Sequence, residues 1–567
     1  MSPMDRSSDR QILDAPYSKE GIQTATTQLT PKSEQGTVDV HCDQRKIIPI
    51  VFLPGVMGSI LQDKDKNIVW NPPAKMWMLD KYKKLNGKER QLLLDPKNTE
   101  VSDNGEIISG FGYQSEQYLR DRKWGRICAD NYHEFMLWCE NWLNYFLRTK
   151  INNTQDILGQ FKDLKCTFKE KITQTDDELK TTAKYRFEIW GGGYNWTKSN
   201  DDSADEIIKF INEVIEYYKK QKNVLAVEKV ILVTHSMGGI VARAVCKKLE
   251  DAKKSDPNAK DLVLGVIHGA MPANGTVEMY TAMRKGFESG FSLTGHLGTQ
   301  VLGDDASKVT PVFTQCQSAL ELLPFAMPQY NPSPEQYRVS PPKCLSSIAQ
   351  PGAWLYVRPK DDPSKILQFD MNKDICRDVY KSSEWWGLLP KGNEDYFDPV
   401  HIVRKQNDDT PLRSVFENQI DKAQDFHDMI SGYYHDVTYG IWSASKKTSA
   451  IGEALWDFSR INEQRVDEYS TKVVSVDPPV DTGQGAYMYQ DKVFNLQNVY
   501  HCGDGTVPRA SWQKDLGKIK NYCLVGDNSE DSNGFGHQNA FIDSRVRYST
   551  IIFTLKLIYA IKSQIKE

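Results

Sequence analysis

Apolar positions fall into short dense runs whose period changes along the chain. In KIIPIVFLPGVMGS, Ile47 to Leu53 form an apolar run broken by Pro49 and ended by Pro54-Gly55, the pattern of a buried strand entering a tight loop. YRFEIW (185–190) predicts the next strand, ending in Gly191-Gly192-Gly193. Over residues 203–220, Ile207, Ile208, Ile211, Val214 and Ile215 recur at helical spacing behind a capping Ser203 with Glu206 three residues on. VEKVILVT (227–234) predicts a strand, IVARAVCKKLE (240–250) a helix and DLVLGVIH (261–268) a further strand. That alternation calls for a parallel sheet with helices packed on it.

From about 276 to 490 the alternation fades into Pro, Gly, aromatic and charged residues with isolated helical patches such as 410–432. It resumes at VFNLQNVYHC (493–502), YCLVG (522–526) and an apolar helix or strand, TIIFTLKLIYAIK (550–562), which are expected to complete the first sheet. Residues 1–45 are polar and read as a flexible arm with no fold of their own. The expected organisation is therefore an arm (1–45), the first part of an α/β core (46–275, with an insertion at about 62–183), a cap or lid insertion (276–490) and the rest of the core (491–567). The fold class is α/β, a mostly parallel central sheet flanked by helices.

Composition removes several classes. A net charge of −4 leaves no basic footprint for nucleic acid. The 10 cysteines lack paired C-x-x-C spacing, so reduced thiols are expected rather than a thiolate metal site or a dithiol redox centre. The opening MSPMDRSSDRQILDAP has no apolar core of a signal peptide, and no run of about 18 apolar residues occurs. The expectation is a soluble protein made in the cytoplasm, with later export by a route that reads no cleavable signal left open.

The sharpest chemical feature is ILVTHSMGGIVAR (231–243). A serine on a strained strand-to-helix turn needs small neighbours two positions away on either side, usually as G-x-S-x-G. Here the pattern is Thr234-His235-Ser236-Met237-Gly238, with Thr in place of the first Gly. The competing reading is a serine that merely caps a helix. A serine nucleophile needs a base and an acid to orient it, in the order serine, acid, histidine in this fold. Asp504 in HCGDGTVP and His537 in NGFGHQNAF supply that order, each behind an expected strand, and His537 is the one histidine of 10 beyond Asp504. The backbone amides of Met237 and of Val56, with Met57 as the alternative, are the expected oxyanion donors.

Other patterns fall short. Lys198-Ser199 follows Thr197 where a phosphate loop needs Gly, and DMNKD (370–374) has Ile375 where a calcium loop needs Gly. The acidic run 527–533 reads as a solvated loop. No metal and no cofactor is expected. Trp77, Trp385 and Trp386 lie in the apolar clusters 70–79 and 384–390, which read either as a membrane-dipping lid or as packing under the cap; Trp196 is a further candidate for substrate contact.

The motifs PIVFLPGVMGSIL (49–61), GGGYNW (191–196), THSMGG, GDGTVP and GHQNAF occur in the order seen in the lecithin:cholesterol acyltransferase-like and PGAP1-like branches of the α/β-hydrolases, which the chain resembles. WGRICADNYHEFMLWCENWL (124–143), HGAMPANGT (268–276) and VTPVFTQCQSALELLP (309–324) resemble the lipase effectors of bacterial type VI secretion. The resemblance implies hydrolysis of phospholipid acyl esters, transient contact with a membrane surface, delivery by a secretion apparatus into a target cell's envelope and a cognate immunity protein. Asn195 and Thr197 depart from the acyltransferase Asp-Trp-Arg pattern, which argues against transfer to a sterol. Hydrolysis of other acyl esters or thioesters, including neutral lipids and GPI-type anchors, and a silent hydrolase-like binding protein remain the alternatives.

Overall fold

The apolar run at the start of the chain becomes the middle of a seven-stranded sheet. In the computed structural model, β1 (Lys46–Leu53) pairs in parallel with β3 (Tyr185–Gly191) on one side and β4 (Val230–His235) on the other. β2 (Cys166–Phe168), β5 (Val263–Gly269), β6 (Thr438–Ser443) and β7 (Asn521–Val525) complete the order β2-β7-β6-β5-β4-β1-β3. Every pairing is parallel except the edge pair β7·β2. The structure describes all residues except 1–9, 15–36, 42–44, 72–81, 83, 110–114, 152–153, 163, 171–174, 222–223, 288–302, 304–305, 326–353, 359–366, 369–373, 385, 390–393, 446, 458–479, 482–485, 490–491, 528–529 and 566–567.

The two-residue period of a strand sorts its side chains between two cores. Ile47, Val51 and Leu53 of β1 and Leu232 of β4 join Ile207, Ile211 and Val214 of α2 (Asn200–Lys219) and Ile240, Val241 and Val245 of α3 (Gly238–Ser255). Ile48, Ile50 and Phe52 of β1 and Ile231 and Val233 of β4 join the other face. There they pack with Tyr132, Phe135 and Met136 of α1 (Ala129–Asn141) and with the closing apolar segment, α5 (Ser544–Ala560). Helices cover both faces, as a parallel sheet requires, and the fold is that of an α/β-hydrolase.

Several elements differ from the sequence expectations. α2 begins one turn earlier than Ser203: its cap is Ser199, whose hydroxyl accepts from the Asp202 amide, and Ser203 instead donates back to the Ser199 carbonyl. β6 belongs to the central sheet although it lies inside the stretch 276–490 assigned to a cap. Conversely, Lys492–Cys502 does not complete the first sheet. It pairs antiparallel with Ser449–Asp457 in a second, six-stranded sheet that also holds Leu355–Arg358, Leu367–Gln368, Val480–Asp481 and Ala486–Tyr489. A strand's apolar run reports that it is buried and not which sheet buries it. In the N-terminal arm, Arg10–Asp14 and Thr37–His41 form a two-stranded parallel ladder. Among the described residues no helix is long and apolar enough to cross a membrane.

Candidate active site

β4 ends in the turn that carries Ser236, whose φ of 52° is in the left-handed region that side-chain-bearing residues rarely occupy. The turn is held by the Ser236 amide donating to the Gly269 carbonyl (2.9 Å) and by the Gly239 amide donating to the Ser236 carbonyl (2.9 Å). Its tightness explains the flanking glycines. A Cβ on Gly238 would stand 2.5 Å from the Pro54 carbonyl oxygen, and one on Gly239 would stand 2.7 Å from Met271 Sδ. Thr234 stands at the first small position, and its side chain has a partner there: Oγ1 lies 3.0 Å from His268 Nδ1.

Asp504 sits just beyond the second-sheet strand Lys492–Cys502. One carboxylate oxygen accepts from the amides of Thr506 (3.0 Å) and Val507 (2.7 Å), which locks the side chain in its own turn. The other oxygen lies 2.7 Å from His537 Nδ1. His537 opens a short 3₁₀ helix in the loop after β7, and its amide donates to the Asp504 carbonyl (2.7 Å). Its Nε2 lies 2.8 Å from Ser236 Oγ. A carboxylate only accepts, so Nδ1 carries the proton and Nε2 is left to receive one from the serine hydroxyl. Ser236, Asp504 and His537 thus form one hydrogen-bonded row, each nearly inaccessible to solvent.

The expected oxyanion donors flank the serine. Met237 is the N-cap residue of α3, and Val56 and Met57 line the same cavity as Ser236. Neither the Val56 nor the Met237 amide has an acceptor among the described residues. Met57 takes φ 64°, and its carbonyl accepts from the Trp70 indole (2.8 Å), which fixes the loop from outside.

That cavity, ≈ 70 Å³, has an apolar wall of Pro272, Met279, Phe287, Phe313, Leu322 and Val507. Nothing in the sequence marks these positions, because an apolar residue lining a cavity has the same pattern as one in the core. Trp196 is fully buried in the cavity wall, edge-on to Trp70 at 4.9 Å. Trp386 is half-buried away from the cavity, its indole donating to the Asp378 carbonyl (3.0 Å). Trp77 and Trp385 lie outside the described residues. Leu388, Leu389 and Trp70, from the two clusters read either as a lid or as packing under the cap, are buried. Asn195 and Thr197 are structural: Asn195 Oδ1 accepts from the Thr197 amide and hydroxyl, and its Nδ2 donates to the Thr99 carbonyl. In the acidic run, Asp531 pairs with Arg545 at 2.8 Å. A wider groove of ≈ 1590 Å³ between residues 96–100, the start of α2 and α4 (Leu412–Ile430) holds none of Ser236, Asp504 or His537.

Residues 167–277 match the PGAP1-like alpha/beta domain family. Over 91% of this chain and 99% of the other, the structure is similar to a chain in the crystal structure of the Tle4–Tli4 complex, with 28% identity and a TM-score of 0.69. Comparison with curated proteins gives no match. The likeness to PGAP1-like α/β-hydrolases read from the motifs is borne out by both the domain family and the fold.

Proposed function

We propose that this PGAP1-like chain is a serine-dependent lipase of phospholipase A type, acting on acyl esters of membrane phospholipids. The observation that carries the reading is the row Ser236–His537–Asp504, with 2.8 and 2.7 Å links, opening onto an apolar cavity. His537 takes the Ser236 proton as Oγ attacks the ester carbonyl, and the developing oxyanion is met by the amides of Met237 and Val56. The protonated imidazole, oriented by Asp504, then gives its proton to the departing lipid alcohol. Water enters, loses a proton to His537 and releases the fatty acid from Ser236. The apolar wall suits an acyl chain.

The similarity to the chain solved as a Tle4–Tli4 complex supports a type VI lipase effector that reaches a target cell's envelope by a non-Sec route. In that reading a cognate immunity protein neutralises it in the producing cell. The test is to incubate the purified protein and its Ser236→Ala variant with mixed-phospholipid vesicles and identify the products by mass spectrometry. Fatty acid plus lysophospholipid from the wild type alone is expected. Hydrolysis of simple esters without release from vesicles would remove the lipid substrate class, and release by Ser236→Ala would remove the serine mechanism.

A further inference from the structure

The residue before the serine, His235, is buried at the end of β4 and belongs to no part of the mechanism above. Its Nε2 lies 2.9 Å from the carbonyl oxygen of His537, and its Nδ1 lies 2.9 Å from the hydroxyl of Tyr132 on α1. The Gly55 amide donates to that same hydroxyl at 3.2 Å. A carbonyl only accepts, so His235 Nε2 carries the hydrogen. Burial, with His537 beside it, pushes the His235 pKa down to about 3, so the ring is neutral and Nδ1 is an acceptor. Tyr132 must then donate to Nδ1 while its oxygen accepts from Gly55, and every direction in the chain is settled.

Packing leaves these groups little freedom. Tyr132 and His235 are caged by Phe52 (5.0 Å from the Tyr132 ring) and Phe541 (5.8 Å from the His235 ring). The loop lies directly on them: a Cβ on Gly55 would meet Ser236 Cβ at 3.0 Å and His235 Nδ1 at 3.1 Å, and one on Gly58 would meet the Tyr132 hydroxyl at 3.0 Å. The chain also reaches the acid, because the His537 amide donates to the Asp504 carbonyl.

We propose that Tyr132 and His235 are positioning residues that set the distance between the oxyanion loop at Gly55-Val56 and the base loop at His537. The strut rests on the reading of Ser236 and His537 as nucleophile and base. It joins two loops that are far apart in sequence and must hold their donor and acceptor in register as the tetrahedral intermediate forms. A neutral ring is required there, since a charged His235 with its centroid 5.0 Å from the His537 ring would oppose the imidazolium of the transition state.

The experiment uses the full-length protein, a short-chain nitrophenyl ester and an alkylboronic acid that forms a tetrahedral adduct with a serine. Tyr132→Phe removes one oxygen and leaves the aromatic packing, so it is expected to lower kcat by about tenfold or more with little change in KM. The boronic acid should bind more weakly by the same factor as kcat/KM falls. His235→Phe should lose at least as much, and the double variant no more than His235→Phe alone, because both break one chain. If His235→Phe does not fold, Tyr132→Phe and His235→Gln carry the test. Nitrogen NMR of His235 in the Ser236→Ala protein, which needs no turnover, should show the neutral ring protonated at Nε2. Tyr132→Phe with kcat within about twofold of wild type and a normal melt, or a His235 protonated at Nδ1, overturns the strut while the wild type stays active. A wild type with no Ser236-dependent esterase activity instead removes the functional reading, and the positioning role with it.

Discussion

His537 Nε2 meets Ser236 Oγ at 2.8 Å across 301 residues of sequence. The serine leaves the end of β4 and the histidine follows β7, with β5 and β6 between those strands in the sheet. Ser236→Ala and His537→Ala are each expected to lower kcat on a short-chain ester by roughly 10³-fold or more, with thermal melts close to wild type. Steady-state kinetics on folded variants check this, and esterase activity surviving in either variant removes its assigned role.

Asp504→Asn should reduce kcat by about 10³–10⁴-fold without unfolding the turn. The amide oxygen of Asn can still accept from the Thr506 and Val507 amides, but its NH₂ faces His537 Nδ1 and forces the other tautomer. A variant with near-normal kcat would show that Asp504 does not orient the base.

Two glycines should respond in opposite directions to alanine. Gly238→Ala brings a methyl to 2.5 Å from the Pro54 carbonyl oxygen and is expected to destabilise by about 1–3 kcal/mol and abolish most activity. Gly159, inside the helix Thr154–Lys162, has nothing within 4 Å of the added methyl, so Gly159→Ala should stabilise by about 0.5–1 kcal/mol with activity unchanged. Urea midpoints of the two variants decide it.

Stability should peak near pH 6.5. Burial pushes His235 and His268 down to about 3 and His133 and His427 down to about 4. Between those values and the unfolded value of about 6.5, the unfolded chain binds more protons. Stability therefore falls as pH drops below about 6.5, by about 1 kcal/mol per histidine per pH unit. Burial pushes Glu321 up to about 8, so the folded chain binds the extra proton there and its contribution is lost as pH rises toward 8. Urea unfolding across pH 4.5–8.5 should show both limbs, with Glu321→Gln flattening the alkaline one. A curve flat from pH 4.5 to 6.5 would mean that these histidines titrate normally when folded.

The parts of the site legible in the sequence were those whose chemistry constrains their immediate neighbours. Ser236 needs Gly238 and Gly239 because a Cβ at either would strike Pro54 or Met271, so the turn leaves a local signature. Asp504 and His537 were read from chain order and flanking strands, and the structure joins Asp504 to His537 and His537 to Ser236. Tyr132 and His235 were missed. A tyrosine on an amphipathic helix and a histidine at a strand end carry no periodic signal that separates a hydrogen-bonded strut from ordinary core.

What the sequence alone determined was local: short apolar runs placed β1, β3, β4 and β5, and helical patterning placed α2 and α3, because run length and spacing state which positions of an element are apolar. Which sheet a strand joined was decided only by tertiary structure. β6 and Lys492–Cys502 both present apolar runs, yet one completes the central sheet and the other joins the second. The apolar wall of the cavity and the chain from Gly55 to His537 were decided in the same way. Partners in a sheet, a cavity or a hydrogen-bonded strut are chosen by shape and distance between elements remote in sequence, and burial patterning along one element carries no record of them.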